Sequence, residues 1–161
     1  MSRMISFSSC KLSSLNTKEM NMNENTKAII KATAPVLKEK GEEITTVMYE
    51  FLFTRNPELK ELFKDAAPDQ YKKLANAVYA YAANIDKLEV LGKGIETMAQ
   101  AHVKTNVKPE HYPLVGAAIL SAIERVLGDA ATPEIIAAWK EAFFFLADVL
   151  IKREDELYKS A

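Results

Sequence analysis

The chain has 161 residues, enough for one domain with a real core and too few for two. Hydrophobic residues at 48% and charged residues at 27% exclude general disorder, and eleven Pro and Gly among plentiful Ala, Leu, Glu and Lys favour helix. Net charge is −1, but Arg3, Lys11 and Lys18 meet no acid within residues 1–18, so the other 143 residues hold 18 basic and 22 acidic groups, a balance that excludes an electrostatic footprint for nucleic acid.

Residues 1–22 differ from the rest. "MSRMISFSSCKLSSLNTK" is Ser-rich, lacks acids and shows no helical stripe. A transit-type leader would carry more Arg and a clearer amphipathic face, so this segment reads as a disordered extension or a start assigned upstream of Met20 or Met22, with the domain itself at 23–161. Cys10 is the only cysteine, so no internal disulfide forms and a reducing, cytoplasmic setting is expected. The most apolar run, "AFFFLADVLI" at 142–151, contains Asp148 and falls short of the ~20 residues of a membrane span.

From there only helices follow. Ile29, Ile30, Thr33, Val36 and Leu37 share one face of a helix over 25–40; Asn23 or Asn25 caps its start, Gly41 ends it and Pro35 kinks or divides it. A second helix over 42–54 carries Ile44, Val47, Met48, Phe51 and Leu52, with Tyr49 and Phe53 widening the apolar arc beyond half its circumference. Asn56 then caps "PELKELF", with Pro57 in the first helical position. After "KDAAP", Tyr71, Leu74, Val78, Tyr81 and Ile85 recur at alternating steps of three and four, as do Leu91, Ile95, Met98 and His102 in the next helix. Pro109 opens a helix with Tyr112, Val115, Ile119, Ala122 and Val126 inward. A break over 128–133 precedes a last helix bearing Ile136, Trp139, Phe143, Leu146, Leu150 and Leu157. No period-2 pattern, repeat or linker intervenes. About seven helices of uneven length suit an all-α, orthogonal fold around a pocket better than a four-helix bundle.

Both histidines lie within "AHVKTNVKPEHYP", 101–113. His102 continues an apolar stripe, where an imidazole must be hydrogen-bonded or coordinated. His111 sits in a first helical turn on the solvent side. Zinc needs three or four protein ligands and lacks them here. Haem iron needs only one, so haem is the natural candidate if His102 binds a metal.

"AHVKTNVKPEHYPLVG" (101–116) resembles the proximal segment of single-domain bacterial haemoglobins and of the globin half of flavohaemoglobins. "TKAIIKATAPVL" (26–37), "MYEFLFTRNPELKELF" (48–63), "LANAVYAYAANI" (74–85) and "KREDELY" (152–158) resemble further segments in the same order, covering about 24–158. The stretch after Phe63 is shorter than in many members, as in the thermophile form called thermoglobin.

The resemblance implies a globin fold, haem b (iron protoporphyrin IX) as cofactor, and His102 as the proximal iron ligand. Tyr49 matches the distal tyrosine that donates to the bound diatomic ligand, and Gln70 the distal glutamine. Leu74 matches the apolar residue above the iron and Phe63 the phenylalanine on the haem ring, with Phe51 and Met98 as further haem-pocket walls. Tyr112 and Glu156 match a pair that reaches the proximal histidine. A carboxylate on its far nitrogen makes the imidazole a stronger donor.

Reversible oxygen binding with nitric oxide dioxygenase-type reactivity is the expected function; an oxygen carrier, reservoir or sensor without turnover is the alternative. A non-haem helical interaction module is a third reading, in which a purified protein would lack a Soret band. Flavohaemoglobins continue into flavin and nicotinamide domains, whereas this chain stops three residues after Tyr158 and holds no phosphate-binding glycine loop. Expected partners are therefore oxygen, nitric oxide and other small diatomic ligands together with a separate reductase. Neither nucleic acid nor a membrane is expected, and a homodimer is compatible with the sequence.

Overall fold

The computed structural model describes residues 22–160; the proposed extension or misassigned start at residues 1–22 lies almost wholly outside them. Five α-helices run through the described residues: α1 Glu24–Arg55, α2 Gln70–Ala83, α3 Gly92–Lys104, α4 Tyr112–Leu127 and α5 Pro133–Ser160. Short 3₁₀ turns at Pro57–Phe63, Leu88–Leu91, Pro109–His111 and Gly128–Ala130 join them, and no strand occurs among the described residues. The chain is all-α, as its periodicities predict. No described helix is long and apolar enough to cross a membrane.

The first two expected helices are one. α1 runs unbroken for 32 residues, through both Pro35 and Gly41. Its buried positions Ile30, Ala34, Leu37, Gly41, Ile44, Met48 and Leu52 step by three and four along one face, and packing that whole stripe outweighs the local cost of a glycine, roughly 1 kcal/mol, and of a proline, roughly 3 kcal/mol. Gly41 is not a terminator. It is buried where α2 crosses, and a side-chain carbon there would stand 3.4 Å from the Ala75 Cβ.

The caps also redistribute. Asn23 accepts from the Asn25 and Thr26 amides at 2.7 and 3.3 Å and starts α1. Asn56, expected to cap forward, instead turns back: its backbone and side-chain N–H groups both donate to the Leu52 carbonyl. Thr132 Oγ1 accepts from the Ile135 amide and begins α5.

The core divides in two. The larger part is built on Ile30, Ile44, Met48, Leu52, Ile85, Ile123 and Trp139, with Tyr49, Phe53, Phe63 and Leu74 packed at its margin. The smaller is built on Ala99, Tyr112, Ala147 and Leu150, with Ile95, Met98, Val107 and Leu157 at its margin. Phe143 and Leu146 of α5 touch both. The helix bearing His102, α3, packs on α5 and on the turn before it, with no comparable packing on α1 or α2. Its stripe of Leu91, Ile95, Met98 and His102 was expected to point into the core, but all four are only half-buried and Ala99 alone is fully covered. Leu91 packs at the margin of the larger core, and Ile95 and Met98 at that of the smaller, so the stripe edges both parts without filling either.

Candidate functional site

His102 lies in the last turn of α3, with 30% of its side chain exposed. Its Nδ1 is 2.8 Å from Glu154 Oε2 and 2.8 Å from the Tyr112 hydroxyl. Tyr112, at the start of α4, donates to the same carboxylate at 2.8 and 3.0 Å. Glu154 is 3% exposed and has no Lys or Arg partner among the described residues. A buried carboxylate is costly unless its lone pairs are met, and here the Tyr112 O–H and the His102 Nδ1–H meet them. The proton this places on Nδ1 leaves the Nε2 lone pair free, and no protein group among the described residues takes it. Burial, then the Glu154 carboxylate, push the Tyr112 phenol well above its ordinary value, so its hydroxyl remains a donor.

The carboxylate expected in this place was Glu156, and that register is corrected by two residues. Glu156 is exposed and pairs with Arg153 Nη1 at 2.7 Å. Two residues turn a helix by about 200°, which carries Glu156 to the opposite face from Glu154. The signal was present: Leu150 and Leu157 bracket a gap in the α5 stripe, and Glu154, four after one and three before the other, fills it. Glu154→Leu strands the Tyr112 hydroxyl and the His102 Nδ1–H, and denaturant unfolding should show a loss of about 1–3 kcal/mol. Glu156→Leu removes only an exposed pair and should stay within about 0.5 kcal/mol.

Tyr49 is half-buried on α1. Its ring stacks on Phe53 at 5.8 Å between centroids and meets the edge of Phe63 at 5.4 Å. Phe53 and Phe63 also meet edge to face, at 5.3 Å. Burial pushes the Tyr49 phenol up, and the Gln70 side chain beside it acts in the opposite direction. Gln70 is the first residue of α2, and Leu74 follows one turn on, half-buried.

Phe51 is displaced from the expected set. The guanidinium groups of Arg55 and Arg125 lie 4.5 and 4.9 Å from its ring centroid, so it packs toward α4 and away from the Tyr49 cluster. Phe53, one turn after Tyr49, is the ring that stacks on it. Met98 stays on the smaller core, half-buried near Ala99. His111 is a local fastener: its Nδ1 accepts from the Lys108 amide at 2.9 Å while its own amide donates to the Lys108 carbonyl.

A globin family model matches residues 46–150. The chain belongs to the globin family. A globin-like protein of Aquifex aeolicus is 53% identical over 137 residues, 85% of this chain and 97% of that one. A flavohaemoprotein of Oceanobacillus iheyensis is 51% identical over 140 residues, but this globin spans only 34% of its length. Among solved structures, an engineered carbene transferase made from a provisionally assigned nitric oxide dioxygenase of Rhodothermus marinus superimposes with a TM-score of 0.84 at 38% identity, covering 87% of this globin and 98% of that chain. A bacterial globin of Campylobacter jejuni gives 0.78 at 35% identity, covering 85% and 99%. The family and its flavohaemoprotein members indicate haem binding.

The residues present fit that group. Among the described residues no three His, Cys, Asp or Glu side chains converge on a bare metal ion. The donor set is one imidazole nitrogen on a helix stripe it shares with the half-buried Ile95 and Met98, which suits an iron whose other ligands arrive with it.

Proposed function

We propose that this globin holds haem b through His102 Nε2, binds oxygen reversibly, and converts nitric oxide, oxygen and one electron to nitrate when a separate reductase supplies the electron. The observation that carries the reading is the 2.8 Å contact between His102 Nδ1 and a buried carboxylate that has no Lys or Arg partner among the described residues.

Haem, when bound, supplies the iron that takes a diatomic ligand and exchanges electrons. His102 would hold the iron through its free Nε2 lone pair. Glu154 accepts its Nδ1–H, which holds one tautomer and one ring orientation and raises the basicity of Nε2. Tyr112 shares that carboxylate, so it stays fixed while the imidazole pulls on it. On the distal side, the Tyr49 O–H and the Gln70 amide are donors for negative charge that develops on the ligand. Leu74, Phe53 and Phe63 line that side with hydrocarbon and exclude water. A strong proximal donor with distal hydrogen-bond donors favours charge transfer to the ligand over neutral carriage.

The test is stopped-flow mixing of the oxygenated protein with nitric oxide. Rapid oxidation to the ferric form with one nitrate per haem is expected. Slow reaction, or nitrate well below stoichiometry, would overturn the catalytic reading and leave a carrier, reservoir or sensor.

A further inference from the structure

α3 is a 13-residue helix with one principal neighbour, α5, and the angle of the His102 ring follows from where α3 sits. Hydrogen bonds weaken steeply with misalignment, and functional groups need placement to about 0.5 Å. The His102–Glu154 contact therefore requires something that stops α3 from shifting on α5. Two ties meet that need, and they lie on either side of His102.

The first is Arg153, adjacent to Glu154. Its Nε and Nη2 donate to the two oxygens of Glu96 on α3 at 2.7 and 2.9 Å, while Nη1 reaches Glu156 on its own helix at 2.7 Å. A planar guanidinium gripping both carboxylate oxygens restricts rotation as well as distance. Arg153 holds the Glu96 carboxyl down at about 2. The tie is thus complete above the ordinary carboxylate range and is lost only as pH falls through about 2.

The second is Tyr158, one turn beyond Glu154 on the same face of α5. Its hydroxyl donates to the Val107 carbonyl at 2.7 Å, and Lys108 Nζ lies 4.1 Å from its ring centroid. The Val107 amide in turn donates to the His102 carbonyl at 2.9 Å, and the Asn106 amide to Val103 at 3.1 Å. Asn106 is left-handed at φ 67°, which closes the helix end in a Schellman turn. Tyr158 therefore grips the turn that is itself bonded to the backbone of His102.

We propose that Arg153 and Tyr158 are positioning residues that clamp α3 to α5 above and below His102 and so set the imidazole–carboxylate separation. The proposal rests on His102 being the haem ligand. Neither side chain touches the imidazole.

The test is resonance Raman spectroscopy of the haem-loaded, ferrous, ligand-free protein, read at the iron–histidine stretch. The natural sequence is compared with Tyr158→Phe, Arg153→Gln and Glu154→Gln. Weakening the Nδ1–H···carboxylate bond lowers electron donation from Nε2, so Glu154→Gln should shift the band down. Tyr158→Phe and Arg153→Gln should each shift it part of the way and broaden it. Tyr158→Phe keeps the ring and its lysine contact, so folding survives in at least one variant. A shift in Glu154→Gln with an unmoved band in both clamp variants would overturn the clamp alone, and a lowered melting temperature without a band shift would reduce the two residues to structural ties. No shift in any variant, Glu154→Gln included, would overturn the proximal assignment and the clamp with it.

Discussion

His102→Ala should abolish stable haem retention: the purified variant loses its Soret band on desalting, and added haemin fails to restore it. One protein bond to the iron is proposed, and the other histidine, His111, spends its Nδ1 on the Lys108 amide. The loss should also appear in thermal stability, because a group that binds only the folded state stabilises it by mass action. His111→Ala is the matched control. It removes a nitrogen that accepts the Lys108 amide, a cap of about 0.5–2 kcal/mol, and should leave haem in place. Equal haem loss in both variants would show that His102 is not the ligand. The control is demanding because both histidines lie within ten residues of each other and bound the same connection between α3 and α4.

Tyr49→Phe should speed oxygen dissociation by roughly 10- to 150-fold, the effect of removing one hydrogen bond of about 1.5–3 kcal/mol to a charged acceptor. Burial raises the Tyr49 phenol above its usual range, so the hydroxyl keeps its proton, and donates, through neutral and moderately alkaline pH. The substitution preserves the ring that packs on Phe53 and Phe63, so folding should be nearly unaffected. The off-rate is measured by stopped-flow displacement of oxygen with carbon monoxide. An unchanged value would remove Tyr49 from the distal role and leave it as a core aromatic with its hydroxyl at the rim. A slow off-rate in the natural sequence that Tyr49→Phe accelerates also bears on function, since tight retention disfavours delivery.

Where sequence and structure part, the cause is angular. "KREDELY" marks the segment that carries the proximal carboxylate, but three acids crowd it, and neighbours along a helix point about 100° apart. Glu154 lies on the buried face, and Glu156, two residues on, lies where Arg153 holds it. The same ambiguity covers Phe51 and Phe53: both lie in a helix apolar over most of its circumference, so the stripe alone does not say which ring meets Tyr49. By local preference alone, Gly41 ends a helix and Pro35 kinks or divides one. In the folded chain Gly41 is where α2 comes close, and the breaker residues lie inside a single helix.

The amino-acid pattern alone determined that this chain is helical, that its helices each carry an apolar stripe, and that His102 sits on such a stripe where an imidazole needs a partner. Those properties are local: they follow from spacing along one helix. Resemblance to haemoglobin segments added Tyr49, Gln70 and Tyr112. Tertiary structure decided which carboxylate meets His102, which phenylalanine meets Tyr49, and that Arg153 and Tyr158 fasten α3 to α5. Each of those is a contact between residues far apart in the chain, set by how two helices rotate and cross, and a one- or two-residue change of register reverses it.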